Sequence, residues 1–175
     1  MDFNTILSIN QTIHNAGAAL FSAGPFYFLL LLSKGRVIGG DFSPKRALVI
    51  EDLFGASLSI WIVFIVLQGL SGAAFGLLSI VYEGSIPEVS AIAMTALIIK
   101  VLAAAGAFFI SVYLKIKVAP VLRAFLTETN PNAGSGEGKI SGYLALSKHR
   151  GNLIWVLMFL GAIALTGAAF LRWNL

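Results

Sequence analysis

Between Glu88 and Lys115 the chain carries one charge, Lys100, in an apolar run longer than the ~20 residues a helix needs to cross a bilayer. Three further runs have the same character, over about 12–32, 53–72 and 153–171, beside 89–114 for the run with Lys100. Hydrocarbon offers an open backbone no hydrogen-bond partner, so each run is expected to be a helix. A soluble core is excluded by the balance of residues. The chain is 58% hydrophobic, and 12 basic and 8 acidic side chains cannot clothe that much apolar surface. The reading is an all-α integral membrane four-helix bundle, a single transmembrane domain over 1–175 with no additional soluble domain.

The loops give the orientation. Lys34, Arg36, Lys45 and Arg46 outweigh Asp41 between spans one and two. Lys115, Lys117, Arg123, Lys139, Lys148 and Arg150 outweigh Glu128 and Glu137 between spans three and four. The loop between spans two and three holds only Glu83 and Glu88. The excess of Lys and Arg puts the two basic loops in the cytoplasm and both termini outside. Residues 127–142, rich in Gly, Ser, Asn and Glu, are expected to form a flexible cytoplasmic loop. Ser43-Pro44 reads as the start of helix two. Met1 to Asn10 has Asp2 and no basic residue, so the first span is expected to remain as an anchor rather than act as a cleaved signal. Cysteine is absent, which excludes disulfides, zinc thiolates and covalently attached haem. The basic residues fall in loops between spans, so nucleic acid is not an expected partner.

Two titratable residues fall inside the apolar segments. An ammonium at mid-bilayer costs about 2.5–3.5 kcal/mol, so Lys100 is expected to face the bundle interior and a partner. Counting back from Lys115 puts it about 22 Å above the inner face. His14 lies 18 residues before the inner end of span one, or about 27 Å. The two therefore share a depth, in the outer half. Glu88 is 12 residues from Lys100, about 18 Å along a helix, too far for a direct pair. His149, beside Lys148 and Arg150, lies at the opposite depth and reads as a solvated headgroup-level residue. It cannot clamp one iron together with His14. His14 itself has three readings: an interfacial histidine, a haem ligand or porphyrin-site base, and a member of a proton path. Gln68 falls where it can hydrogen-bond across the bundle near His14. Tyr27, Tyr113 and Trp61 are candidate cofactor neighbours that aromatic belts and core packing explain as well. Glu51 and Asp52 read as structural acids at the start of helix two. Gly69, Gly72, Ala73 and Gly76, Ala103 through Ala107, and Gly161, Ala164, Gly167 and Ala168 mark close helix contacts.

His14, Ala23-Gly24 and Tyr27 in span one resemble the first helix of the HemJ-type protoporphyrinogen oxidases and the related CopD-like copper-resistance membrane proteins. Lys100 in span three fits the HemJ-type pairing of one essential His with one essential Lys. Gln68-Gly69-Leu70-Ser71-Gly72 and the stretch from Gly106 to Lys117 resemble an uncharacterised bacterial family of four-span proteins in the same group. Where the HemJ-type pattern continues from its Tyr with Pro-Arg, this chain has Phe28-Leu29. A copper site would want thiolates or clustered His and Met, and the chain has no Cys and three Met. The resemblance implies a protein of the bacterial cytoplasmic membrane that binds haem b or a porphyrin in redox or electron-transfer work. In that reading His14 is the metal ligand, Lys100 is the propionate partner or proton donor with a catalytic role, and Gln68 and Tyr27 line the cofactor. The competing reading is a non-enzymatic accessory subunit, in a homo-oligomer or a larger membrane redox complex. A permease is disfavoured by the single buried charge and the lack of paired broken helices.

Overall fold

The computed structural model describes residues 2–37, 44–84, 90–127 and 136–173. It is a helical bundle with α1 over Phe3–Val37, α2 over Pro44–Glu83, α3 over Ala91–Tyr113, α4 over Ala119–Thr127 and α5 over Gly136–Trp173. A π-helical turn, Leu114–Val118, joins α3 to α4, so these two make one membrane-length rod. Among the described residues four helical stretches are long and apolar enough to cross a membrane: Phe3–Ser33, Lys45–Tyr82, Ala91–Thr127 and Ile140–Gly167. Large apolar side chains such as Leu30, Leu70, Leu102, Phe109 and Phe159 point outward, as a lipid-facing surface requires.

The helices are longer than the hydropathic runs. α2 starts at Pro44, whose missing N–H costs nothing in the first turn. It continues to Glu83, where Gly84 takes φ +71° and its N–H bonds to the Ile80 carbonyl at 3.2 Å. α5 begins at Gly136, which corrects the expected flexible loop over 127–142. Its residues 136–142 are helical, Thr127 closes α4, and 128–135 lie outside the described residues. At the other chain end, Thr5 N–H donates to Asp2 Oδ1 at 2.8 Å. Hydrogen bonds from the Thr5 side chain and backbone hold the Asp2 carboxyl below the usual carboxylate range.

Neighbours along the chain run antiparallel. α1 packs along α2, with Phe3 stacked on Tyr82 at one end and Phe28 against Phe54 toward the other. α3 packs along α5, where Gly106 meets Leu160 and Gly167 meets the Ala96 carbonyl. α1 also touches α5, and α2 touches α3 and α4. The remaining pairs, α1 with α3 and α2 with α5, are the diagonals of the bundle, and their backbones make no close approach among the described residues.

Two prolines shape the rods. Pro25 inside α1 has no N–H, so the Phe21 carbonyl one turn earlier loses its usual donor. The buried Trp61 indole fills that vacancy, donating from Nε1 to Phe21 O at 3.1 Å. Gly24 makes the seat: a Cβ there would collide with Trp61 Nε1. The indole stacks on Phe21 and meets Phe28 edge-on, at 5.7 and 5.5 Å between centroids. Pro120 likewise removes a donor just past the π-turn, which accounts for the wider turn before it. The wider turn keeps Leu114, Val118, Leu122 and Leu126, each four residues apart, on the buried side of one rod.

Candidate functional site

The structure brings His14 and Lys100 together. Lys100 Nζ lies 3.0 Å from His14 Nε2, spanning the α1–α3 diagonal. On the other side of the ring, His14 Nδ1 lies 3.0 Å from Ser71 Oγ. Ser71 Oγ in turn donates to the Gln68 carbonyl at 3.0 Å, and Asn10 Nδ2 donates to the Ser71 carbonyl at 3.0 Å. Three helices thus supply one polar cluster.

Small residues make room for it. A Cβ on Gly72 would stand 3.3 Å from His14 Cε1, and one on Gly17 would stand 3.2 Å from Gln68 Cβ. Gly167 brings α5 against the backbone of α3 at Lys100, where an added Cβ would meet Lys100 Cβ at 3.5 Å. Phe75 presents its ring to the His14 ring edge-on at 5.6 Å. His14 and Lys100 are each half-buried, Ser71 and Gln68 buried.

The charge balance of this cluster is one-sided. Lys100 has no carboxylate partner among the described residues, where the ion pairs are Arg123 with Asp52 and Arg150 with Glu51. Its ammonium has three donors, and His14 uses one. The free donors and the uncompensated charge are what an anion could use. Both ring nitrogens of His14 are engaged, so neither is presented to a metal in this arrangement. No group of three or more metal-ligating side chains occurs among the described residues. The residues as placed fit the propionate of a haem b, whereas its iron would require Nε2 to leave Lys100.

The other candidates fall elsewhere. Tyr27 is exposed and 13 residues from His14 on the same helix, about 20 Å along it. It therefore does not line this cluster. Tyr27 borders a recess of about 250 Å³ on the α1–α2 seam, with Gly24, Ser57 and Trp61. Ala23-Gly24 of the span-one pattern serves that seam, not the polar cluster. Trp61 is a core residue, and Tyr113 faces outward. His149 is exposed, as its neighbours suggested.

A second polar cluster was not anticipated. Arg150, expected in a solvated loop segment, is 1% exposed and pairs with Glu51, itself 3% exposed. Tyr143 Oη donates to Glu51 Oε1 at 3.1 Å, Arg150 Nη2 reaches Ser147 Oγ at 3.3 Å, and the guanidinium sits 5.0 Å over the Phe54 ring. Among the described residues Arg150 Nε has no hydrogen-bond partner. This pair bridges the other diagonal, α2 to α5. Glu51 is thus a buried ion-pair partner rather than an N-terminal acid, while Asp52 makes an exposed bridge to Arg123 at 3.3 Å. Helical phase carried a signal for it. Arg150 follows Tyr143 and Ser147 and precedes Ile154, Leu157, Gly161 and Ala164 at steps of three and four, on the stripe that faces the core.

No protein-family model, curated protein or solved structure matches the chain. Fold and geometry define a four-helix membrane bundle with a histidine–lysine cluster at the end that carries both termini.

Proposed function

We propose that this chain binds a tetrapyrrole, haem b or a metal-free porphyrin, in the bacterial cytoplasmic membrane and serves redox or electron transfer. One observation carries the reading: inside an apolar span Lys100 holds two spare donors and, among the described residues, no carboxylate partner. A propionate would offset the desolvated ammonium and accept those donors as charge-assisted hydrogen bonds. His14 keeps the Lys100 side chain directed across the bundle and supplies a base beside the bound ring. When bound, the tetrapyrrole supplies the redox chemistry, and the protein orients it and handles the nearby proton.

The test is an absorption spectrum of protein purified from haem-replete cells, followed by titration with protoporphyrin. Binding that Lys100→Met weakens at least tenfold supports the reading. A colourless protein that also leaves protoporphyrin free would sink it. Loss of pigment in His14→Ala with the bundle still helical would assign the iron ligand to His14; an unchanged spectrum would reject that role.

The orientation that goes with this proposal puts both termini outside. Thr127→Cys, the only thiol in such a variant, is expected to resist impermeant reagents in intact cells and react after lysis. Labelling in intact cells would invert the bundle.

A non-enzymatic accessory subunit is the second reading. It is favoured by Gly69 and Ala73, which face outward four residues apart on α2 and would let another helix approach closely. Migration in a larger complex in mild detergent, without any tetrapyrrole, would put it first.

A further inference from the structure

The His14 cluster has a direction. The Gln68 carbonyl can only accept, so Ser71 gives it the one proton its hydroxyl owns. Toward His14, Ser71 Oγ is then an acceptor, and the 3.0 Å contact is made by an Nδ1–H donor. A neutral imidazole protonated at Nδ1 has its lone pair on Nε2, the nitrogen that faces Lys100 Nζ at 3.0 Å. An ammonium can only donate, so the two ends of the chain agree. The sequence Lys100 to His14 to Ser71 to Gln68 O is satisfied in one sense only, with one positive charge at the site.

We infer that Ser71 is a positioning residue that fixes His14 as the Nδ1–H tautomer and so makes Nε2, under Lys100, the ring's one accepting atom. Asn10 supports the arrangement from α1 by binding the Ser71 carbonyl, and Gly72 leaves the space in which the ring lies against α2. Any ligand that uses His14 must then approach at Nε2 and displace or share the Lys100 ammonium. His14 can take a proton from Lys100 there without turning its ring. This tautomer belongs to the unliganded protein, so it can prove wrong while the tetrapyrrole reading stands, and the reverse.

The measurement is nitrogen NMR of the full chain in lipid nanodiscs with 15N-histidine. Of the two histidines, the signals of His14 are identified by their loss in His14→Ala. The wild type is expected to show Nδ1 protonated and Nε2 bare. Lys100→Met removes the donor on Nε2, and the same tautomer is expected to persist because Ser71 Oγ still accepts from Nδ1. Adding Ser71→Ala in that background should shift the signals toward the Nε2–H form, and Ser71→Thr should restore the Nδ1–H form. A wild-type ring protonated at Nε2 or at both nitrogens overturns the inference. So does a switch in Lys100→Met with Ser71 intact, or a Ser71→Ala spectrum that does not move. If the Ser71→Ala protein fails to fold, the wild-type and Lys100→Met spectra still decide.

Discussion

The bundle is braced across both diagonals, and the two braces are built to opposite rules. Glu51 and Arg150 form a closed unit: opposite charges, nearly no exposure, a tyrosine hydroxyl on the acid and an aromatic ring under the base. His14 and Lys100 form an open one: half-buried, singly charged, with donors to spare. They are far apart. Glu51 and Ser71 are 20 residues apart on α2, about 30 Å, with Phe21, Phe28, Leu58, Trp61, Ile65 and Leu157 buried between. Among the described residues that stretch is mostly apolar inside, and its buried Ser111 donates to the Ala107 carbonyl of its own helix. A buried pair with matched charges compensates itself; an unmatched charge kept at a cost in free energy points to a ligand.

The comparison can be broken most severely at the closed pair. Arg150→Met leaves the Glu51 carboxylate buried with Tyr143 as its remaining partner and is expected to cost about 3–5 kcal/mol of stability in a detergent or denaturant unfolding titration. Replacing both partners together, as Glu51→Leu with Arg150→Met, should recover most of that loss, since the desolvation of both charges goes with them. A double variant as unstable as the single one would mean that the pair does more than cancel its own charges.

A smaller loss is expected in the apolar stretch between the clusters. Gly24→Ala drives a methyl into the Trp61 indole, breaks its bond to Phe21 O and reopens the vacancy that Pro25 left. Overpacking of this kind costs about 1–3 kcal/mol, and tryptophan fluorescence should report the displaced ring. An unchanged melting curve would show that the indole can shift without penalty.

The smallest stability effect belongs to the open pair. Lys100→Met should leave the fold intact, with a change within about 1 kcal/mol and of stabilising sign, because it deletes a desolvated charge and one hydrogen bond while keeping the side chain's length. Thermal unfolding followed by circular dichroism checks it. A loss as large as that of Arg150→Met would make both braces structural and erase the contrast.

The open pair was legible in the sequence because depth can be counted. Lys100 and His14 are interruptions in apolar runs, and residue number times helical rise puts them level. The closed pair was not, because Glu51 and Arg150 lie among Lys45, Arg46, Asp52, Lys148 and His149, where charges usually mean a membrane interface. Counting gives depth, but burial depends on which way a residue faces, and only the three-and-four stripe through Arg150 carried that. The helices' extra length was hidden for the same reason: hydropathy marks what matches lipid, whereas the charged turns at 44–52 and 140–150 stay helical and pack against one another through the closed pair. Tyr27 lies about 20 Å along α1 from His14: a shared span is not a shared depth.

The empty diagonals have a mechanical meaning. Among the described residues α1 and α3 make no close backbone approach, and the Lys100–His14 hydrogen bond links their side chains, whereas Glu51, Arg150 and Tyr143 fasten α2 to α5 at the far end. Each diagonal is thus joined through polar side chains rather than through backbone contact, one by a charge-compensated pair and the other by a single ammonium.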